Sequence, residues 1–409
     1  MERFGVAIRA IGSAVVRDFA AALQSDLDAL ARADRLRRCP EIFGPTRQHL
    51  TVGSDEAPPT PLVSFCSNDY LGLASHAALA AAAADAARSQ GFGAGAARLV
   101  SGDLPAHRLL EARLAGFVGR EAALLFPTGY QANLGTLTAL AGPQDLIASD
   151  AANHASLIDG CRLSRATVAI YPHGDVAGAR AALTRAGPFR RRFLVTESLF
   201  SMDGDAAPLT DLGALTTAVD AVLIVDEAHA LGVLGPTGAG LCAAAGVVPD
   251  VLIGTLGKAF GAAGGFVTGV VALRNTLVNR ARTFVFTTAL PPPVAAAAAA
   301  AVTLASGPEG DDRRRRLAAN QARLHDSLRE SLAGLVPRTP GPIVPIVVGP
   351  DATALAASAR LRARGLFVPA IRPPTVPEGT ARLRVTLSSE HTPAEVDRLG
   401  AALVDLLRR

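Results

Sequence analysis

Apolar and polar residues follow each other along this chain in blocks whose spacing predicts a succession of helices and strands. Near the start, residues 16–38 predict an amphipathic helix, because apolar side chains recur three and four positions apart. These apolar side chains belong to Phe19, Leu23, Leu27 and Leu30. A turn-rich stretch, residues 53–61, separates the helix from the main body of the chain. We therefore expect residues 1–61 to form a helical arm.

From Leu62 onward, short apolar runs alternate with helical stretches. Near-continuous apolar runs bounded by turns are typical of parallel strands that are buried on both faces of a sheet. The predicted strands are residues 123–126, 146–149, 193–196, 222–226, 251–254 and 265–271. The helical segments between them imply β–α–β crossovers, so residues 62–300 are expected to form a large three-layer α/β domain.

The end of the chain has a different order of elements. Three prolines and a long alanine-rich helix close the large domain, and the breaker-rich stretch 306–312 follows. The pattern then predicts a helix, a strand, a helix, two strands and a last helix, at residues 313–335, 343–348, 353–364, 366–369, 381–387 and from Pro393. This order predicts that residues 301–409 form a small C-terminal α+β domain.

Composition argues against several classes of protein. The chain has 409 residues, of which 49% are hydrophobic, so it can bury a large core. Aromatic residues make up only 4% and the basic residues form no stripe, so we do not expect nucleic acid as a partner. Neither a signal peptide nor an apolar run long enough to span a bilayer is evident, which predicts a soluble, cytoplasmic protein with no membrane partner. The four cysteines are widely spaced, so neither a disulfide framework nor a metal site is predicted.

One residue stands out from this composition. Lys258 is the only lysine, and the other 39 of the 40 basic residues are arginines. Arginine supplies charge and phosphate contacts as well as lysine does, but it cannot be deprotonated in a protein. A single lysine in such a chain points to a task that needs a neutral amine, either Schiff-base chemistry or general base catalysis.

A second candidate group follows the predicted strand 222–226. That strand ends in Asp226, and His229 comes three residues later. Ligands bind beyond the carboxyl ends of strands in open α/β sheets. By itself Asp226 would equally fit a metal ligand of a nucleotide-binding protein or a helix cap, but no GxxxxGK[ST] phosphate loop accompanies it. Beside a reactive lysine, the carboxylate is suited to keep a pyridine nitrogen protonated, so that the ring accepts electrons.

The motifs around these residues resemble a known family. The stretch TLGKAFGAAG is similar to the lysine signature of class II pyridoxal-phosphate-dependent transferases, and DEAHALGVLGPTGAG is similar to that of the α-oxoamine synthases. Other segments resemble the same family in the same order: SNDYLGL (67–73), FGAGAARLVSGDLPAHRLLE (92–111), FPTGYQAN (126–133), DAANHASLIDG (150–160), TESLFSMDGDAAPL (196–209), FTTALPP (286–292) and IRPPTVPEGTARLRVTLSSEHT (371–392). The resemblance implies fold type I of these transferases, like aspartate aminotransferase, with pyridoxal 5'-phosphate as cofactor and a homodimer as the assembly.

The resemblance also implies catalytic residues. Lys258 would hold the cofactor and move the proton at the substrate Cα, and Asp226 would pair with the pyridine nitrogen. His154 would stack on the open face of the ring and help to polarise the incoming thioester. Considered without its flanking motif, His154 would be read as a helix cap or a core histidine.

Further site residues are carried over in the same way. His229 would contact the phenolic oxygen of the cofactor, and Ser201 would bond within its pocket. The phosphate would be bound by the backbone at Gly129 and Tyr130, by Thr255, and by Thr288 of a second subunit. Arg372 would clamp the substrate carboxylate with Thr375 nearby, and Asn68 and Arg37 would line the entrance.

The stretch 371–392 is most similar to the biotin-pathway branch of the family. That branch condenses L-alanine with a pimeloyl thioester, and the sequence leaves coenzyme A and acyl carrier protein open as carriers. In addition, Ala97 stands where glycine-using relatives tend to carry threonine. The alternatives are another α-oxoamine synthase, such as a glycine C-acetyltransferase or a 5-aminolevulinate synthase, an aminotransferase of the same fold, and a non-enzymatic nucleotide-binding protein.

Overall fold

The computed structural model describes residues 14–54, 57–329 and 336–407. Its helices are α1 Ala14–Arg32, α2 Ala77–Gln90, α3 Pro105–Phe117, α4 Gly129–Leu140, α5 Ala155–Ser164, α6 Val176–Leu183, α7 Leu209–Ala218, α8 Leu241–Ala244, α9 Val271–Arg280, α10 Arg282–Val285, α11 Pro292–Ser306, α12 Pro308–Arg329, α13 Asp351–Ala363 and α14 Pro393–Leu407. Its strands are β1 Glu41–Phe43, β2 His49–Ser54, β3 Ala57–Ser64, β4 Ala122–Phe126, β5 Leu146–Asp150, β6 Thr167–Tyr171, β7 Arg192–Glu197, β8 Val222–Asp226, β9 Val251–Thr255, β10 Gly265–Gly269, β11 Ile343–Gly349, β12 Leu366–Phe367, β13 Ala370–Ile371 and β14 Ala381–Thr386.

Seven strands of the described chain form a central sheet in the order β4-β10-β9-β8-β7-β5-β6. The pairs β6–β5, β5–β7, β7–β8 and β8–β9 are parallel. Side chains from α4, α5 and α9 form an apolar cluster on one face, and side chains from α6 and α7 form another cluster with the sheet. The predicted α/β fold class is confirmed. Because the parallel strands run in one direction, their carboxyl ends meet at one edge of the sheet.

Two smaller sheets lie outside the central one in the described residues. One has the order β1-β2-β3-β12, and the other has the order β11-β14-β13. The parallel pair β3–β12 joins Val63 to Leu366, so a segment near the start of the chain shares a sheet with a segment near its end. The predicted domain boundaries at residues 61 and 300 stay predictions.

The structure corrects the prediction of a turn-rich separator over residues 53–61. Residues 53–54 and 57–61 belong to an antiparallel strand pair, β2–β3, with Val52 opposite Thr60. Prolines usually interrupt strands, but here the apolar side chains of Val52 and Leu62 are buried. Burial outweighs the local preference for turns.

Several predicted boundaries were also wrong. The first helix ends at Arg32, not at residue 38, because Asp34 takes a left-handed backbone with φ 57°. Strand β10 ends at Gly269, and Val271 already lies in α9, where its N–H donates to the Glu121 carboxylate at 3.0 Å. Strand β10 is also antiparallel to both of its neighbours.

The other differences concern β6 and α12. Strand β6 was not predicted, and as an edge strand it leaves Ile170 72% exposed. Helix α12 begins at Pro308, inside the predicted breaker, because proline is tolerated in the first turn of a helix. Residues 330–335 of the predicted helix and residues 1–13 lie outside the described residues.

Helix α11 shows how the alanine-rich segments are used. It packs against α2 and α3, and its inward side chains are small. Ala295, Ala298 and Ala305 have no solvent exposure. Small side chains let the helix backbones approach each other closely, so these alanines set the distance between the helices.

Ala298→Leu is therefore expected to lower the free energy of unfolding by about 1–3 kcal/mol, because a leucine overfills a closely packed contact. Thermal and urea unfolding measure the change. Ala84→Leu, at an exposed position of α2, is the matched control and should be nearly neutral. Equal stability of the two variants would contradict the packing argument.

His173 ties together segments at the carboxyl edge of the sheet. Its Nδ1 lies 2.9 Å from Asp150 Oδ1 and its Nε2 lies 2.9 Å from Asp205 Oδ2. The ring also packs edge-on against Phe200, 4.3 Å between centroids. Both nitrogens face carboxylates, so both must carry hydrogens, and the hydrogen bonds to Asp150 and Asp205 raise the pKa of His173 to about 10. The imidazolium holds β5 against the loop after β7.

Because its pKa is raised on folding, His173 should stabilise the fold fully below about pH 6.5, and this stabilisation should disappear as the pH rises towards 10. His173→Gln is expected to lose about 1–3 kcal/mol at low pH, as for a hydrogen bond to a charged group. Thermal unfolding near pH 6.5 and pH 9.5 should show less than half of this difference at the higher pH. His325→Gln is the control, because the pKa of His325 is lowered by burial; a pH-independent loss in His173→Gln would contradict the charge argument.

Candidate active site

The carboxyl edge of the central sheet gathers acidic and hydroxyl side chains. Strand β7 ends in Glu197 and β8 ends in Asp226, and the two residues are directly paired in the sheet. Strand β9 ends in Thr255, and Lys258 lies in the turn that follows. The sheet therefore places the lysine beside two buried carboxyl groups.

The turn that carries Lys258 depends on a glycine. Gly261 has φ +60°, and a Cβ at this position would lie 2.3 Å from the backbone nitrogen of Ala74. Only glycine combines this backbone with such a close approach. The Lys258 turn is thus packed directly onto the segment that follows SNDYLGL.

Lys258 is hydrogen-bonded to a histidine. Its Nζ lies 2.8 Å from His229 Nε2, and His229 Nδ1 lies 2.7 Å from the Tyr70 hydroxyl. The Tyr70 hydroxyl donates to Asn68 Oδ1 at 3.1 Å, so it accepts from His229 Nδ1 and leaves Nε2 as the acceptor for Lys258. Burial, together with the positive charges of Lys258 and Arg384, lowers the pKa of His229 well below its usual value.

The amine itself is affected by the same surroundings. Burial lowers the pKa of Lys258 to about 8, although the negative charge of Asp226 and the nearby Glu197 carboxyl group act in the opposite direction. At pH 7 a pKa of about 8 leaves about one amine in ten neutral, against about one in three thousand for an ordinary lysine. The half-buried amine can therefore act as a nucleophile or a base near neutral pH.

Asp226 and Glu197 are held by N–H donors. Asp226 accepts from Asn133 Nδ2 at 2.7 Å and from the Ala228 N–H at 2.8 Å. Glu197 accepts from the His154 N–H at 2.6 Å. Burial and the charge of Asp226 raise the pKa of Glu197 to about 8, so Glu197 is mostly neutral at pH 7.

His154 precedes helix α5, and its side chain is exposed. Its Nδ1 accepts from the Ser156 N–H at 3.3 Å and lies 2.8 Å from Ser156 Oγ. The helix-cap alternative and the site assignment are therefore compatible, because the ring caps α5 with one nitrogen and keeps its other nitrogen free of described partners. Its pKa is lowered, first by desolvation of the ring.

Gly129, Tyr130 and Thr255 lie close together at the start of helix α4. A Cβ at Gly129 would lie in van der Waals contact with the Thr255 side chain, 3.4 Å from its Cβ, so the start of α4 and the end of β9 adjoin each other. The first N–H groups of a helix have no partner in the helix and attract anions. The Tyr130 hydroxyl donates to Asp159. Thr288 is exposed in the single chain and belongs to the segment after α10.

A second group of predicted residues lies together but apart from this network. Arg37 donates to Thr375 Oγ1 at 3.2 Å and to the Pro373 carbonyl at 3.4 Å, and Arg372 donates to the Asp34 carbonyl. Within the described chain, no hydrogen bond joins this group to Lys258. The structure thus brings Arg37, Arg372 and Thr375 together without connecting them to the amine.

Arg384 is a site residue that sequence reasoning missed. It is 6% exposed, and it donates to the Ser201 carbonyl at 2.6 Å and to Asn68 Oδ1 at 3.3 Å. Both partners are neutral. The signal in the sequence was an arginine that alternates with apolar residues in the strand ARLRVT, since a buried arginine needs a function or a partner. Tyr70, Asn133 and Glu197 were also missed, and their motifs gave no reason to prefer them over their neighbours.

These residues fit pyridoxal 5'-phosphate. The group needs an amine that is partly neutral, a carboxylate for its ring nitrogen and donors for its phosphate. Lys258 supplies the first, Asp226 the second, and the start of helix α4 with Thr255 the third. Among residues 14–54, 57–329 and 336–407, no cluster of three or more His, Cys, Asp or Glu side chains is arranged to hold a metal ion. In the same residues, no helix is both long and apolar enough to cross a membrane.

Comparison with known proteins identifies the family. Residues 60–403 match the model of aminotransferase class I and II. The chain is 53% identical to 8-amino-7-oxononanoate synthase of Anaeromyxobacter dehalogenans (strain 2CP-1), which covers 94% of each chain. It is 48% identical to the enzyme of the same name from Marinobacter nauticus, over 95% of this chain and 96% of that one.

Solved structures agree with this assignment. Sphingomonas wittichii serine palmitoyltransferase is similar with a TM-score of 0.87 and 30% identity, over 97% of this chain and 98% of that one. The 8-amino-7-oxononanoate synthase of Francisella tularensis has a TM-score of 0.73 and 28% identity, over 84% and 97%. The predicted fold type I and the predicted cofactor are confirmed. The chain belongs to the class I and II aminotransferase family of pyridoxal-phosphate enzymes, and within it to the 8-amino-7-oxononanoate synthases.

Proposed function

We propose that the protein catalyses the decarboxylative condensation of L-alanine with a pimeloyl thioester to give 8-amino-7-oxononanoate, a step of biotin biosynthesis. The Cα of alanine forms a bond to the thioester carbonyl carbon, and CO2 and the free thiol leave. The observation that carries the proposal is the Lys258 amine at 2.8 Å from His229, in a chain of this family. A cytoplasmic location stays a prediction.

The bound cofactor supplies a carbonyl carbon that reacts with amines and a pyridinium ring that stabilises negative charge at Cα. Lys258, with its pKa lowered to about 8, removes the Cα proton and returns one after CO2 has left. Asp226, held by Asn133 and Ala228, keeps the proton on the ring nitrogen. His229 would contact the phenolic oxygen of the cofactor, and Ser201, whose carbonyl accepts from Arg384, would bond within its pocket.

Two arginines are candidates for the substrate carboxylate. Arg372 was predicted from the sequence, and here it donates to the Asp34 carbonyl. Arg384 is buried, has neutral partners and shares Asn68 with the Tyr70–His229–Lys258 network. This arrangement favours Arg384 as the cation that binds the substrate carboxylate, because Arg372, Thr375 and Arg37 have no hydrogen bond to that network in the described chain.

A second subunit completes the site in this proposal. Thr288 is exposed in the single chain. It lies in the segment FTTALPP, and the resemblance of this segment to the family implies that Thr288 contacts the cofactor phosphate bound in the second subunit. Phe286, two residues before it, is 71% exposed, so its apolar ring is available to a partner surface. Both observations support a homodimer.

The role of Lys258 predicts a covalent link to the cofactor. Borohydride reduction of the yellow protein should fix the cofactor on one peptide that contains Lys258. Lys258→Ala should lose this reducible absorbance and at least about a hundredfold in turnover, the lower range for loss of an acid–base group. Lys258→Arg is the matched control for charge, because it keeps the positive charge but cannot be deprotonated. Turnover in Lys258→Arg near that of the wild type would refute the amine's role.

The choice of alanine predicts a modest preference over glycine. One methyl group in an apolar pocket is worth about 1–3 kcal/mol, or roughly 10- to 200-fold in kcat/KM. Competition of alanine against glycine with pimeloyl-CoA should show this ratio, and Ala97→Thr should move it towards glycine by crowding the methyl group. Equal or better efficiency with glycine would favour the glycine-using enzymes of the family instead.

A further inference from the structure

The imidazole of His154 is contacted at one nitrogen by donors. The Ser156 N–H points at Nδ1 from 3.3 Å, and Ser156 Oγ lies 2.8 Å from the same atom. A backbone N–H can only donate, so Nδ1 presents its lone pair to this group. In the neutral ring the proton is therefore on Nε2.

Asn133 fixes the direction of the Ser156 hydroxyl. Asn133 Nδ2 donates to Ser156 Oγ at 2.8 Å and to Asp226 Oδ2 at 2.7 Å. A carboxylate only accepts, so the amide nitrogen, not the amide oxygen, must face Asp226. Since Ser156 Oγ already accepts from Asn133, its hydrogen is free to point at His154 Nδ1. The four side chains thus form one chain of hydrogen bonds with a defined direction.

Burial makes this direction persistent. Asn133 is 2% exposed, Ser156 is 1% exposed and Asp226 is 7% exposed, so water has little access to replace a bond. The His154 end of this hydrogen-bond network faces outward. His154 is exposed, and its Nε2 has no hydrogen-bond partner among the described residues. The network therefore presents one N–H donor outward from an otherwise buried set of bonds.

We propose that Asn133 and Ser156 are positioning residues that hold His154 in its Nε2–H tautomer and tie the ring to Asp226. His154 then offers Nε2–H to the carbonyl oxygen of the acyl thioester, where negative charge develops as the new C–C bond forms. This use of the donor rests on the proposed function. The assignment of the Nε2–H tautomer rests only on the hydrogen bonds among His154, Ser156, Asn133 and Asp226.

A merely structural role gives different expectations. The same contacts cap helix α5, so removal of the Ser156 hydroxyl could cost stability without any effect on the ring proton. The deciding quantity is thus the position of the proton on His154. It is measured from the imidazole nitrogen shifts of the holoenzyme labelled with 15N-histidine, above the pKa of the ring. The chain has eight histidines, and His154→Gln identifies the signal.

The wild-type holoenzyme should show Nε2–H, and Ser156→Ala should show a mixture with Nδ1–H. Ser156→Thr keeps the hydroxyl and should restore the wild-type pattern. Ser164→Ala is the matched control, because Ser164 is a buried serine on the same helix whose hydroxyl donates to the Cys161 carbonyl. It should leave the His154 signal unchanged. Nδ1–H in the wild type, at the signal that His154→Gln assigns, would overturn the proposal.

Steady-state kinetics test whether His154 Nε2–H acts as a donor in the reaction. Ser156→Ala should lower kcat by about tenfold or more, with little change in the KM for alanine. This loss is part of the roughly 10²–10⁴-fold that an acid–base group typically contributes to the rate. Asn133→Ala also removes a donor from Asp226, so it should lower kcat by itself. Adding Ser156→Ala to Asn133→Ala should then lower kcat by a smaller factor than Ser156→Ala does in the wild type, because the two residues share one path to His154. An unchanged His154 signal in Ser156→Ala, with kcat within twofold of wild type, would overturn the positioning role. If the wild type forms no product from alanine and pimeloyl-CoA, the proposed function fails, and the tautomer is still decided by the nitrogen shifts.

Discussion

A lysine amine can act at neutral pH only if it is partly deprotonated, and the surroundings of Lys258 satisfy this constraint in a particular way. A direct ion pair would hold the proton on the amine. Instead, the described partner of Nζ is the neutral ring of His229, and the nearby acids are engaged elsewhere. Asp226 is held by Asn133 and Ala228, and Glu197 is mostly neutral. Desolvation therefore outweighs the attraction of the carboxyl groups, and the pKa falls to about 8.

The same constraint explains why Arg384 differs from the other buried arginines. Arg98 pairs with Asp103 and Glu111, and Arg382 pairs with Asp203, so these charges are compensated. The bonds of Arg384 go to a carbonyl and an amide oxygen. A buried cation without a counter-ion is costly unless an anion arrives. Its charge lowers the pKa of Lys258 further, and the lack of an acidic partner among its described hydrogen bonds supports the proposed role in binding a carboxylate.

The sheet supplies the geometry for both effects. Parallel strands β5, β7, β8 and β9 end at one edge, which collects Asp150, Glu197, Asp226 and Thr255. His173 bridges Asp150 and Asp205 there and holds the loop that carries Ser201. Because β10 is antiparallel to β9, the chain turns back directly after Lys258. The turn that carries Lys258 is therefore short, and it is held between β9 and β10.

The sequence by itself determined the features that reside in one residue or one continuous segment. A single lysine among arginines and an aspartate at the end of an apolar strand made Lys258 and Asp226 candidate site residues, and ordered family motifs predicted the fold class and the cofactor correctly. These signals are local, because residue type and short-range periodicity carry them. The β2–β3 pair and the antiparallel β10 escaped prediction, since strand pairing depends on burial against distant segments.

Only the tertiary structure decided how the site is joined. Asn133 and Asp226 are 93 positions apart, and Asn68 and Arg384 are 316 positions apart, yet each pair shares a hydrogen bond. No pattern along the chain selects one asparagine or one arginine for such a bond, because the choice depends on which side chains the folded sheet brings within about 3 Å. The roles of Asn133, Glu197 and Arg384 could thus be read only from the fold, whereas Lys258 was distinguished by its chemistry alone.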